Sequence, residues 1–382
     1  MGEPGLRPVA TRPHRPSGAC ALRARSVDLA CRRRTDSRAV AGRRPVGSAG
    51  GVSPLPGRGW WAGLPPAAGA AVMAVAVISV GLHLTGHEVV SLVALALSGA
   101  LWLVLAADFT ARLLGDRGRF RAEADTPAAL TAVAATTVLG TRLSALGWQD
   151  AAAALLVLAA VLWPGLLLSV VRHWRRRMPG VAFLVCVATQ GLAVLAAVLA
   201  AAEHRDWLAR AAPACFCLGL LLYAAALVRF DFREVVGGAG DHWVAGGALS
   251  ISALAASRLT ASPVWTGSAH TALRTTTLAA LGLSLAWYAV LLTAELRHPR
   301  PRYDIRRWAT VFPLGMTAAA CLSAAEPTAV AWLRPLGEVL LWIAVAACLF
   351  TCAALVTSHT SHPSRPSDTS RRAARGTGAD RS

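Results

Sequence analysis

Ten apolar blocks, separated by short polar stretches, occupy the chain from Trp60 to about Thr357. Each is roughly 20 residues long, the length an α-helix needs to cross the ~30 Å hydrocarbon core of a bilayer. They predict spanning helices over residues 64–84, 89–113, 126–146, 150–171, 180–201, 208–230, 243–260, 271–296, 308–325 and 332–357. The blocks differ in polarity. The second, fourth, sixth and tenth are almost wholly apolar, and residues 155–168 and 340–349 contain no charge. The third, fifth, seventh and ninth are punctuated by Thr131, Thr136, Thr137 and Thr141; by Thr189 and Gln190; by Ser250, Ser252 and Ser257; and by Thr310 and Thr317. Polar groups are costly in lipid, so odd-numbered helices are expected to face an interior or a watery path, with even-numbered helices outside them. Thr136, Thr137, Thr189, Gln190, Ser250, Ser252 and Thr317 thereby become candidates to line that path. A single small hydroxyl is more readily explained as glue between helices, so only the alternation across blocks is informative. The eighth block fits less well, because Thr275, Thr276 and Thr277 cluster near one end.

Charge in the connections gives an independent check. The loops after even-numbered blocks carry fifteen arginines: Arg112, Arg117, Arg119 and Arg121; Arg172, Arg175, Arg176 and Arg177; Arg229 and Arg233; Arg297, Arg300, Arg302, Arg306 and Arg307. The opposite ends offer six, namely Arg142, Arg205, Arg210, Arg258, Arg274 and Arg334. Basic loops stay on the cytoplasmic side, so both termini are expected in the cytoplasm of a multi-pass protein of the cell membrane.

Composition agrees with one polytopic domain rather than several soluble ones. The 382 residues are 55% hydrophobic and only 15% charged, with mean hydropathy +0.50, where soluble domains carry about 25% charge. The net charge of +18 comes entirely from arginine. Because those arginines flank apolar spans, membrane orientation accounts for them and a nucleic-acid partner is not expected. Residues 1–59 hold twelve arginines and three acids without apolar periodicity. They read as a disordered basic tail, or an over-extended gene start, able to meet anionic lipid headgroups. No apolar stretch of signal-peptide type stands near the start. Residues 358–382 read as a second disordered tail on the cytoplasmic side.

Enzyme chemistry finds little to work with. The eight cysteines form no CxxC pair and mostly sit within spans, where a thiol behaves as a small hydrophobe. His83 and His87 have metal-ligand spacing beside Glu88, but Gly86 interrupts them and no intervening general base is present. Asp241 before Trp243 reads as a helix cap rather than a proton donor. No glycine-rich phosphate loop stands between a strand and a helix. No metal, cofactor or catalytic residue is expected.

Transport remains. In Arg306-Arg307-Trp308-Ala309-Thr310-Val311-Phe312-Pro313-Leu314-Gly315-Met316 a basic clamp stops at an apolar span with Phe-Pro in its first turns. Proline frees a carbonyl and bends the helix, which membrane helices tolerate where they line a cavity or pack on neighbours. An aromatic side chain at such a bend can close a narrow path by excluding water. On spacing alone, plain packing against lipid or another helix is the better explanation of Phe312.

The segment 307–316 resembles the ninth-helix signature of the tellurite-resistance/C4-dicarboxylate transporter family, which includes bacterial tellurite-resistance channels, fungal malate transporters and plant slow anion channels. Gly240-Asp241-His242-Trp243 with Val244 to Ser252 resembles that family's seventh-helix start, and Pro65-Pro66 with Val72 to Gly81 its first helix. The resemblance covers about residues 60–357. It implies an all-α membrane protein of ten helices in five hairpins around a central pore, commonly a trimer, passing small anions such as chloride, nitrate or malate. It implies a gate at Phe312 with Pro313. Independently of the resemblance, the outer arginines Arg142, Arg258 and Arg274 are expected to favour anions electrostatically at the outer mouth. Met73-Ala74 stands where family members often carry Thr-Gly, which implies a narrower path there. A proton-coupled exporter of dicarboxylate or sulfite, and a nonconducting membrane scaffold, are the competing expectations.

Overall fold

The computed structural model describes Gly2 and residues 68–115, 118, 124–237, 240–298 and 304–360. Contacts divide the chain into Met1–Gly59 and Trp60–Ser382; Gly2 apart, the first unit lies outside the described residues. So do Pro65, Pro66, Arg117, Arg119, Arg121, Arg300, Arg302 and the tail beyond Thr360.

Ten long helices follow one another: α1 Gly69–Leu84, α2 Glu88–Gly115, α3 Leu130–Ala145, α4 Gln149–Arg172, α5 Leu184–Glu203, α6 Asp206–Arg229, α7 Trp243–Thr260, α8 Gly267–Arg297, α9 Trp308–Ala325 and α10 Leu333–Thr360. No strand occurs among the described residues, and the one β-bridge joins Met178 to Phe230. Single 3₁₀ turns, Pro127–Ala129, Gly180–Phe183 and Ile305–Arg307, lead into α3, α5 and α9. This start splits the expected third and fifth spans into a turn and a helix. In the other direction α10 runs three residues past its expected end. Asp241 was read as the cap of α7, but the N-cap position is His242, and Asp241 offers its backbone carbonyl to the Val244 N–H.

Short loops such as 85–87 and 146–148 fold consecutive helices back on each other, giving five antiparallel hairpins. The odd-numbered helices pack side by side in the order α1, α3, α5, α7, α9 and back to α1, a closed ring. Each even-numbered helix leans on its own hairpin partner from outside. Burial divides the two sets. In the most apolar stretches of α3, α5 and α9, 78–89% of residues are buried; in the five even-numbered helices only 17–33% are. Eight of the ten helices are long and apolar enough to cross a membrane. Among the described residues α1 has 16 residues, and α7 is diluted by Gly246, Gly247, Ser250, Ser252, Ser257 and Arg258. A helix wrapped by other helices need not be apolar toward lipid, so α7 can carry these polar residues inside the fold. The protein is an all-α polytopic membrane fold. The end of the ring at which odd-numbered helices start is called here the near end, and the other the far end.

Candidate functional site

On the axis of the ring lies a cavity of about 20 Å³, room for about one water. All five inner helices line it: Val77 and Val80 from α1; Thr137, Val138 and Thr141 from α3; Gly191 and Val194 from α5; Ile251 and Leu254 from α7; Met316 from α9. Stepping four residues back along each helix reaches Met73, Val133, Val187, Gly247 and Phe312, a helical turn toward the near end. Met73, Val133, Val187 and Phe312 are each at most 1% exposed. This layer has no polar side chain.

Phe312 holds its place because α7 has no side chain opposite it. A Cβ on Gly247 would sit 2.9 Å from Pro313 Cγ and 3.3 Å from Phe312 Cε1. Pro313 lies inside α9 and cannot donate to the carbonyl four residues back. The bend is pinned by hydroxyls: Thr317 Oγ1 donates to the Pro313 carbonyl at 2.9 Å, and Ser250 Oγ lies 2.8 Å from Thr317 Oγ1 and 2.7 Å from Ser284 Oγ. Thus α7, α8 and α9 are tied together directly behind the aromatic ring.

Toward the far end the picture changes. Leu84, Ala145, Val198 and Arg258 stand four residues beyond cavity-lining positions, and Ser323 stands seven beyond Met316. None of the five is fully buried. Val198 is the single residue of 184–200, and Arg258 the single residue of α7, that is not classed as buried. These far-end positions are therefore partly exposed where their near-end counterparts are buried. Arg258 makes no hydrogen bond or ion pair among the described residues, and its Nε is buried without a partner.

Most of the hydroxyls expected to line a path are turned elsewhere. Thr137 lines the cavity. Thr136 accepts the Trp102 indole N–H from α2, and Thr189 that of Trp163 from α4, each at 2.9 Å. Gln190 donates to the Phe216 carbonyl of α6, Ser252 bonds the Ala248 carbonyl beside Cys186, and Ser250 and Thr317 form the hydroxyl cluster. These six serve contacts between helices. The apolar residues that do line the axis carry no polar mark, but a four-residue step from Phe312 reaches Met316 and a further seven reach Ser323.

Two of the three arginines assigned to the mouth are likewise engaged. Arg142 is completely buried, one residue on from Thr141, and turns from the axis to α2, where it pairs with Glu88 and donates to Ser91 Oγ at 3.0 Å. Arg274 grips the Thr328 carbonyl through Nε and Nη2 at 3.0 and 2.9 Å, holding the α9–α10 loop. His83 lies 2.6 Å from Glu88, and His87 bonds Thr85 and meets the edge of Trp342. Among the described residues no three His, Cys, Asp or Glu side chains gather as a metal site.

The sequence pattern of the voltage-dependent anion channel family (SLAC1) matches residues 63–356. The chain belongs to this family. It is accordingly a multi-pass membrane protein for the passage of anions. No curated protein matches it significantly. The matched span runs from just before α1 to within α10, so all ten helices are included.

Proposed function

We propose that the five-helix ring is the conduction path for small anions and that Phe312, set by the bend at Pro313, is its gate. The observation that carries this reading is the axial cavity: it takes residues from all five inner helices, and Phe312 lies one turn from its Met316 wall. An apolar layer containing two large side chains, Met73 and Phe312, excludes water and so resists an ion that cannot shed hydration cheaply. Chloride, nitrate and C4-dicarboxylates such as malate are the substrates to compare. Among the described residues no carboxylate stands in the cavity wall or in the apolar layer one turn below it, which favours passive flow over proton-coupled export. Arginine-rich loops at the near end support a reading in which that end, and both termini, lie in the cytoplasm of a cell-membrane protein. The resemblance adds a homo-oligomer in which each ring keeps its own path.

The test is anion flux from proteoliposomes. Phe312→Ala is expected to raise flux about tenfold or more, the effect of taking roughly 1.4 kcal/mol from a barrier. Unchanged flux in a folded, inserted variant removes Phe312 from the gate role.

A further inference from the structure

A much wider cavity, of about 280 Å³, lies outside the ring. It follows the near-end half of α2, between that helix and α4, with α3 as its floor. The floor is made of small residues, among them Ala128, Ala132 and Ala135. Ala132 is the single residue of 130–142 that is not buried, so the inner ring is uncovered there. Trp102 and Leu105 of α2 and Leu162 of α4 form the walls, and the rim residues Leu113 and Leu158 are 41% and 39% exposed.

The lining changes character with depth. Residues 89–107 of α2 carry no charge and span about 28 Å at 1.5 Å per residue, close to the ~30 Å of a hydrocarbon core. Glu88 marks one edge of that stretch and Asp108 the other. Asp108 and Arg112 therefore stand at headgroup level in the leaflet at the near end, and Trp102 lies about 9 Å deeper. Arg112 donates from Nε to Asp108 Oδ1 at 3.1 Å, and its Nη2 lies 2.5 Å from Oδ2. Both residues line the cavity, and neither is more than 9% exposed. An ion pair held out of water on an outer helix is costly to keep and marks a functional site by default.

We propose that this cavity holds an acyl chain of one phospholipid with a primary-ammonium headgroup, whose ammonium donates to Asp108 while its phosphate lies against Arg112. An apolar cavity of ~150 Å³ already holds benzene, so this one has room for a segment of roughly ten carbons. Lipid tails are as apolar as leucine, so the chain itself gains little by leaving the bilayer. Selection among lipids has to come from the polar end. There the two charges cancel and lie side by side, as they do in a zwitterionic headgroup. Each Asp108 oxygen accepts one contact from Arg112 and has a further lone pair for an ammonium N–H. A trimethylated headgroup has no N–H to give, and an anionic one brings no cation to the carboxylate.

The test reads lipid rather than flux, so it does not depend on conduction by the ring. Phospholipids with brominated acyl chains, which quench nearby indoles, are titrated into the full chain in detergent. The Trp102 signal is taken as the difference between wild type and Trp102→Phe. Phosphatidylethanolamine is expected to quench it at about tenfold lower mole fraction than phosphatidylcholine or phosphatidylglycerol, the ratio of one charge-assisted hydrogen bond. Ala132→Phe, which fills the floor, is expected to abolish the quenching. Breaking one half of a buried pair destabilises a fold, so the pair is removed whole: Asp108→Leu with Arg112→Leu is expected to keep the quenching and make the three lipids equal. Equal potency of the three lipids in the wild type overturns the headgroup assignment. Quenching that survives Ala132→Phe overturns the cavity as the site. Absence of Trp102 quenching overturns lipid occupancy, and a smaller particle for Ala132→Phe then identifies another copy of the chain as what covers the groove.

Discussion

Gly315 in the inner ring and Gly99 in the outer one occupy helices of similar apolar composition, yet their surroundings are opposite. A Cβ on Gly315 would lie 2.7 Å from Val77 Cγ1, whereas one on Gly99 would meet nothing within 4 Å. The same contrast repeats. Gly140 faces Leu195 and Gly191 faces Thr137, while Gly165 and Gly282 of the outer helices face open space. Two outer glycines, Gly219 and Gly337, do meet neighbours, and both look inward, at Gln190 and Leu322. Small residues in the inner ring let backbones approach closely, the usual basis of helix packing where lipid supplies no hydrophobic drive between spans. In the outer helices they are incidental. Only one ring is built to a shape; the other is built to a solvent.

The strongest way to break that division is at the ion pair that crosses it. Arg142 belongs to α3 and has no exposure, and its partner Glu88 opens α2. Arg142 Nη1 already lacks a hydrogen bond. Glu88→Ala leaves the buried guanidinium with Ser91 alone and is expected to cost about 3 kcal/mol, the low end for an uncompensated buried charge because Glu88 itself keeps water. A drop in the apparent melting temperature in detergent reads this, and Arg142→Met combined with Glu88→Ala is expected to restore most of it. A single variant with wild-type stability means that the two rings do not depend on the bridge.

Next in size is overpacking within the inner ring. Gly315→Val must displace Val77, and is expected to destabilise by about 1–3 kcal/mol. Thermal unfolding checks it, with Gly99→Val as the outer-ring control. Equal losses at both positions erase the distinction drawn from the glycines.

A smaller effect is expected where outer helices hook onto inner ones through indole donors. Thr136→Val strands the Trp102 N–H, and Thr189→Val that of Trp163, each at a cost of roughly 0.6–1.7 kcal/mol, the range for hydrogen bonds between membrane helices. Trp102→Phe in the Thr136→Val background is expected to add little more, which a double-mutant cycle on unfolding measures directly.

These hydroxyls also mark where the sequence was legible and where it was not. The seventh and ninth spans were placed at 243–260 and 308–325, the bounds the helices have. A stretch of that length with no charge, or with Arg258 alone near its end, leaves few alternatives. The alternation of polar and apolar blocks correctly put even-numbered helices outside. What it did not reveal was direction. An inner helix is covered on every side, so no apolar face remains to orient it, and Thr136 and Thr137 look alike in the sequence although one meets α2 and the other the axis. Polarity was used as the mark of a path, whereas the axis is walled mainly by Val, Ile, Leu and Met. Arg142 and Arg258 were likewise indistinguishable until Glu88 was seen beside one of them.

The smallest predicted change tests what surrounds the outer ring. Gly99→Ala removes a flexible residue from the middle of α2 at a position where the added methyl touches no protein atom. Alanine exceeds glycine in helix propensity by up to about 1 kcal/mol, and against lipid the new methyl costs nothing to bury. Stability is therefore expected to be unchanged or slightly raised, and Gly99→Leu to be tolerated as well. The informative result is the contrary one. If either substitution lowers the melting temperature or shifts the particle size in detergent, the face of α2 at Gly99 is covered by another copy of the chain rather than by lipid. The contrast between a shaped inner ring and a lipid-matched outer one then holds for only part of the circumference. Gly165→Ala on α4 and Gly282→Ala on α8, repeated in the same assay, show which part.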